Sequence, residues 1–437
     1  MRTLGFFIGL LAIGCRSSSP VSESFDEVSV SSMKVMAIGD IQQMDYMTLN
    51  SSAEPFTKEE WLAEGKHKLK TKILDDLKPY ELIPSIENLS HILQVGDIVD
   101  LNNALRLDID GEELSPPYDE WKTVFERFPS NMQMYGTIGN HETYKTMKYI
   151  DLIKVGDNEL KVDGNKMVRE FNSPQQRMDI LKTKYPPVAG DRVFFGEAGS
   201  GSYFVNFANY CLFSLDGNDL LKGRGLTLEN VAEYAQSKIK TLDEWKPFFE
   251  AHLRKNCSTE NNDVWTPKKP TIITIHFPVF SALARGEDIF HDGSDYLSDV
   301  ASHFVELANH YNFALVLSGH EHFYFRYLND KGRTDAGYQD LKPKSAYVTI
   351  GNFGVTMGAD GHSQAKKIRG ASPRIDLTKN GQDFVLHEGP HYAVLDIANN
   401  KIDYTAFRFS ESTKEWEAQP FDKFSIGLGA NGEWSVE

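Results

Sequence analysis

His91-Ile92-Leu93-Gln94-Val95-Gly96-Asp97-Ile98-Val99-Asp100 is the stretch that decides the fold. A short run rich in Ile, Leu and Val reads as a buried strand, and Gly96 ends it in a turn that delivers Asp97, with Asp100 three residues further on. The pattern recurs on both sides. Residues 34–38 run into Gly39-Asp40-Ile41-Gln42, and residues 133–138 into Gly139-Asn140-His141-Glu142. Residues 271–275 end at His276-Phe277-Pro278, and residues 314–317 at Ser318-Gly319-His320-Glu321-His322. In an open α/β sheet, sites form where the carboxyl ends of strands converge. The sequence therefore aims Asp40, Asp97, Asn140, His276 and the pair His320 and His322 at one edge. One such motif means little, because Asp, Asn and Gly are common turn residues. Five in order, each at a strand end, point to metal chemistry.

Working outward, residues 203–215 and 346–350 read as further strands. Thr57 with Glu60 three residues later forms a capping-box pattern that opens a helix to about residue 77. Leu297, Val300, Phe304, Leu307, Ala308 and Tyr311 share one face of another helix, directly before the strand at 314. Strands alternating with helices imply an α/β architecture with partly parallel pairing. Residues 391–409 read as a hairpin turning at Asn399-Asn400, and Asp216-Gly217, at the end of the strand at 203, as either a turn or a site residue. The intervals 101–132, 143–202 and 217–269 read as surface insertions, where substrate selectivity usually resides. Phe323-Tyr324-Phe325 reads as core packing, and His291 as a surface histidine or a phosphate contact.

The chain has 437 residues, 41% of them apolar, and a formal charge of −16. That is enough to bury a large core in one elaborated domain or two. An acidic surface without a basic cluster disfavours nucleic acid as a partner. Residues 4–13 form an apolar run with glycines after Met1-Arg2, too short to span a bilayer but suited to a signal peptide. Gly14-Cys15 at its end resembles a bacterial lipoprotein cleavage site. The resemblance implies removal of residues 1–14 and an N-terminal lipid on Cys15 that attaches the protein to a membrane outside the cytoplasm; residues 15–32, rich in Ser, Glu and Val with no helical period, read as a tether. Removal takes away only Arg2, so the charge moves from −16 to −17. Cys211 and Cys257 then remain, and the sequence permits either a disulfide or two buried thiols.

The ordered strand-end set resembles the calcineurin-like metallophosphoesterase superfamily from about residue 33 to 409. The resemblance implies a four-layer α/β/β/α sandwich within a catalytic domain over 33–437, with two metal ions at the C-terminal strand ends. It places Asp40, Gln42, Asp97 and His322 on one ion, and Asp97, Asn140, His276 and His320 on the other. The ions are divalent or mixed-valence, and oxygen and nitrogen donors suit Fe, Mn or Zn. His141 is implied as the general acid beside the leaving oxygen, oriented by Asp100. The expected reaction is hydrolysis of a phosphorylated small molecule by an activated water.

Two branches of that superfamily leave traces. Thr274-Ile275-His276-Phe277-Pro278 and Gly319-His320-Glu321-His322-Phe323-Tyr324-Phe325-Arg326 look like purple acid phosphatases, although Asp100 stands where those enzymes carry a metal-binding tyrosine. Asp40-Ile41-Gln42 with Gly96-Asp97-Ile98-Val99-Asp100 is similar to manganese-dependent ADP-ribose and CDP-alcohol diphosphatases. The expectation is therefore a phosphomonoesterase or phosphodiesterase, with a nucleotide diphosphate hydrolase as the alternative. A non-catalytic surface protein on the same fold is the third reading. It is disfavoured because every ligand position carries a competent donor.

Overall fold

The difference between parallel and antiparallel strands is already visible in the burial of individual residues. Thr271–Ile275 is buried at every position, as a strand covered on both faces must be. His391–Ala398 alternates buried and half-buried residues towards its end, the pattern of a strand with one face near solvent. The computed structural model describes residues 32–40, 56–57, 86, 88–97, 132–140, 142, 144–148, 151–154, 159–163, 168–171, 173–183, 193–195, 201–221, 239–280, 298–328, 343–353, 384–387, 389–410 and 412–437.

Two eight-stranded sheets carry these strands. Sheet one begins with β1 (Met33–Ile38), β2 (Leu89–Gln94) and β3 (Gln133–Gly136). Sheet two is built from β4 (Val193–Phe195), β5 (Tyr203–Asn206), β6 (Cys211–Leu215), β7 (Thr271–Ile275), β8 (Leu315–Ser318), β9 (Tyr324–Tyr327), β10 (Ala346–Ile350) and β11 (Phe384–His387). The chain then returns to sheet one as β12 (His391–Ala398), β13 (Lys401–Ser410), β14 (Glu415–Trp416), β15 (Asp422–Leu428) and β16 (Trp434–Val436). The order in sheet one is β16-β15-β13-β12-β1-β2-β3, with β14 on β13. In sheet two it is β11-β9-β10-β8-β7-β6-β5-β4. β1, β2 and β3 are parallel, and so are β6, β7, β8 and β10, so their carboxyl ends point the same way within each sheet.

The sheets pack face to face. Successive residues of sheet two alternate between two cores, as the period of a strand requires. Leu212, Ile272, Leu317 and Val348 join Val35, Leu93 and Leu395 of sheet one. Phe213, Ile273, Val316 and Tyr347 face the other way, towards Phe249, Val300, Phe304 and Ala308. The last four lie on α2 (Lys246–His252) and α3 (Ser298–His310), which cover the outer face. α1 (Pro174–Thr183) belongs to the 143–202 insertion. These are the β/β/α layers of the expected sandwich. Polar side chains join the sheets beneath the strand ends, where Thr137 Oγ1 meets Ser214 Oγ at 3.0 Å and Thr274 Oγ1 at 2.8 Å.

Several sequence expectations change. Residues 203–215 are not one strand but an antiparallel hairpin, β5 and β6, turned by Phe207, Ala208, Asn209 and Tyr210. The turn is stabilised by Lys269, whose ammonium donates to Asn206 Oδ1 at 2.8 Å and to the Phe207 carbonyl. Thr57 pairs with Glu159 in a two-residue strand, Phe56–Thr57, and the helix expected to follow it lies outside the described residues. The two cysteines are bonded: Cys211 at the start of β6 is linked to Cys257, 46 residues away. The hairpin at Asn399-Asn400 and the buried Phe323, Tyr324 and Phe325 are as the sequence implies.

Candidate metal centre

Each side chain of the cluster sits just past the carboxyl end of a parallel strand. Asp40 follows β1, Asp97 follows β2, Asn140 follows β3, His276 follows β7, and His320 follows β8. Three of these residues lie in the left-handed backbone region that side chains rarely adopt. Asp40 has φ 44°, Asp97 φ 53° and His320 φ 69°. That conformation costs roughly 1–2 kcal/mol per residue and persists where surrounding contacts over-determine it. Gly96 shows the crowding responsible. It has φ 101°, and a Cβ there would lie 2.4 Å from His276 Nδ1, so only glycine lets the two sheets approach.

The centre is a convergence of lone pairs. His276 is fully buried, and its Nδ1 lies 2.9 Å from the Val95 carbonyl, which can only accept. A ring proton on Nδ1 would satisfy that carbonyl and leave the Nε2 lone pair facing the cluster. There it meets Asp97 Oδ2 at 3.1 Å and Asn140 Oδ1 at 2.9 Å. His320 Nδ1 lies 2.8 Å from the same Asn140 oxygen. Ligand atoms of Asp97, His276 and His320 all fall within 4.8 Å of one another. Carboxylate oxygen, amide oxygen and imidazole nitrogen around one point form a donor set that a divalent cation satisfies. The Val95 carbonyl supplies the outer hydrogen bond that fixes a ligating imidazole.

Asp40 lies next to this group. Its Oδ2 accepts the His320 backbone N–H at 2.8 Å. Its Oδ1 is buried with no hydrogen-bond partner among the described residues, and His322 Nε2 stands 3.8 Å away. Burial, then the neighbouring Asp97 carboxylate, hold the Asp40 carboxyl well above the usual carboxylate range, against the pull of the His320 N–H. Two buried acids side by side are a poor arrangement without a cation and a good one with it. The residues present therefore fit a metal. Asp40, Asp97 and His276 form a buried floor, while Asn140, His320 and His322 are partly open.

Gln42, Asp100, His141 and His291 lie outside the described residues. Two contributions were missed from sequence. Glu142 is fully buried, and its Oε2 accepts the backbone N–H of Asp97 at 3.0 Å and of Gly139 at 2.8 Å, tying two strand ends together. Its place three residues after Gly139 was the available signal. The second is Arg177, paired at 2.6 Å with Asp216, the residue left open between a turn and a site and here a fully buried acid.

The calcineurin-like phosphoesterase family model matches residues 33–324, well over half of the chain. Among solved structures, purple acid phosphatase PPD1 from yellow lupin (Lupinus luteus) seeds is 12% identical, with a TM-score of 0.45 over 92% of this chain and 55% of that one. This chain thus spans about half of the lupin protein's length. PhoD is 10% identical, with a TM-score of 0.43 over 93% of this chain and 72% of that one. Chaetomium thermophilum Vps29 is 9% identical, with a TM-score of 0.26 over 90% of this chain and 97% of that one. All three scores fall below 0.5, so the family match carries the assignment. No curated protein matches the chain.

Proposed function

As the chain belongs to the calcineurin-like phosphoesterases, which are metal-dependent phosphoester hydrolases, we propose that it works with two metal ions held at the strand ends. Asp40, Gln42, Asp97 and His322 would hold one ion, and Asp97, Asn140, His276 and His320 the other. The observation that carries this reading is the meeting of Asp97 Oδ2, Asn140 Oδ1 and His276 Nε2, with His320 Nδ1 on the same asparagine oxygen. Bound there, such ions supply Lewis-acid stabilisation of phosphate and an acidified water at neutral pH. Only Asp40 and Asp97 are anionic in the set, so two divalent ions leave a positive centre that attracts phosphate in a chain of charge −16.

The chain's own residues do the rest. Val95 fixes the His276 ring, and Glu142 fixes the Asp97 and Asn140 turns. His141 donates a proton to the leaving oxygen and Asp100 orients it, by analogy with the resembling enzymes. The substrate is a phosphomonoester or phosphodiester of a small molecule. A nucleotide diphosphate is the second reading, favoured by the Asp40-Ile41-Gln42 sequence. Hydrolysis of p-nitrophenyl phosphate, its bis ester and ADP-ribose by metal-depleted protein given Mn, Zn or Fe separates these readings. Turnover of none of them with any metal would sink the phosphoesterase proposal for small esters.

We also propose export, with residues 1–14 removed, Cys15 lipidated and residues 15–32 tethering a single catalytic domain over 33–437. The Cys211–Cys257 disulfide supports an oxidising compartment. Cys15→Ser should move the protein from membrane to soluble fractions, and unchanged membrane retention would contradict lipidation.

A further inference from the structure

We propose that Arg177, Asp216 and Asn218 form a buried positioning network that holds the Asn140 strand end in its metal-receiving geometry. The proposal rests on the metal-centre reading above. Its residues lie outside the strand-end motifs: Arg177 is on α1, and Asp216 and Asn218 follow β6. Arg177, with 8% of its side chain exposed, donates Nε–H to Asp216 Oδ2 at 2.6 Å. That oxygen also accepts the Gly201 N–H at 3.2 Å, and the Asp216 N–H donates to Ser202 Oγ at 2.9 Å. Asp216 Oδ1 accepts the Asn218 N–H at 3.2 Å and its Nδ2–H at 3.0 Å. Asn218 Nδ2 then donates to the Gly139 carbonyl at 3.1 Å.

Gly139 is therefore gripped from both sides. Its N–H goes to Glu142 and its C=O to Asn218. A Cβ at Gly139 would stand 2.1 Å from Asp97 Oδ1, so this peptide lies directly against the acid assigned to both ions. The next residue is Asn140, whose amide oxygen is a neutral and weak ligand, and its contribution depends on being aimed. A buried ion pair could anchor a turn anywhere in the fold. This one ends on the carbonyl that sets the direction of Asn140.

The test is metal binding by the full chain, measured by competition with a chromophoric chelator for Mn2+ and Zn2+, alongside melting in EDTA. Asn218→Ala should weaken one of the two binding steps about tenfold, as loss of an outer-shell hydrogen bond does, and leave the other step and the melt in EDTA nearly unchanged. Asn218→Asp should weaken it more, because a carboxylate would face Asp216 and the Gly139 carbonyl. Arg177→Lys should keep more of that affinity than Arg177→Met. Equal affinity of Asn218→Ala and the unaltered chain would overturn the proposal, and so would equal weakening of both steps in parallel with a lowered melt. If the unaltered chain binds no ion, the metal-centre reading fails and the network's role fails with it.

Discussion

Two buried carboxylates among the described residues have opposite surroundings. Asp422 on β15 is answered by the chain itself: Arg326 pairs with it at 2.8 Å and the Tyr324 hydroxyl donates to it. Asp40 has another acid, Asp97, as its neighbour, and its Oδ1 has no hydrogen-bond partner among the described residues. The first is an ion pair supplied by the fold, although burial still raises the Asp422 carboxyl above its ordinary range. The second sets two acids side by side, an arrangement that a cation between them would relieve. The same contrast separates the histidines. His91 and His391 are buried neutral rings inside the core, whereas His276 and His320 direct ring nitrogens at shared oxygens. Burial alone therefore does not mark the site. What marks it is the convergence of Asp40, Asp97, Asn140 and two imidazoles at the strand ends.

Breaking each kind of acid should have opposite consequences. Asp97→Asn keeps the side-chain shape and tolerates the left-handed backbone. It should reduce metal-dependent hydrolysis to background. In chelator it should raise stability by on the order of 1 kcal/mol, since Asp40 no longer faces a like charge. Asp422→Ala deprives Arg326 and Tyr324 of their acceptor. It should lower unfolding free energy by about 3–5 kcal/mol in urea melts while metal affinity holds. If the two variants behaved alike in chelator, the distinction would collapse.

Cys257→Ser comes next. A cross-link over 46 residues stabilises by roughly 2–4 kcal/mol through loop entropy, and urea melts under oxidising conditions would read the loss. The core histidines give a smaller effect, spread over pH. Burial pushes His91 and His391 down to about 3 and His387 to about 4, with His387 adding to the shift of His391 and Arg408 to that of His387. In the unfolded chain these groups take up protons near pH 6.5. Stability is therefore full above that pH and falls as pH drops towards 3 or 4, by about 1.4 kcal/mol per pH unit for each ring. His391→Gln should flatten the measured slope by about that amount, and an unchanged slope would reject this origin. Glu142→Gln, which keeps an acceptor for the Asp97 and Gly139 amides, should weaken metal binding by no more than about tenfold, with titration against a chelator as the measure.

Much of this was readable in the amino-acid sequence because strands buried on both faces are short apolar runs, and such runs stop abruptly. The Gly96-Asp97 and Gly319-His320 junctions expose both the strand end and the residue it delivers. The face of α3, with Val300, Phe304 and Ala308, is legible from its helical spacing. Three features were not. The break between β5 and β6 falls inside an apolar stretch, and the Lys269 that stabilises its turn lies 59 residues beyond Tyr210. The Cys211–Cys257 bond depends on distance in space. The pairing of Asp216 with Arg177 joins the end of β6 to a helix of the 143–202 insertion, a meeting that no local pattern announces.

The most direct measurement is a calorimetric titration of metal-free protein with Mn2+, run on the unaltered chain and on Asp97→Asn, followed by hydrolysis of p-nitrophenyl phosphate and its bis ester. The account predicts two ions bound by the unaltered chain, turnover that returns with them, and loss of at least one ion together with activity in Asp97→Asn. Two ions still bound in Asp97→Asn with turnover intact, or none bound by the unaltered chain, would contradict it.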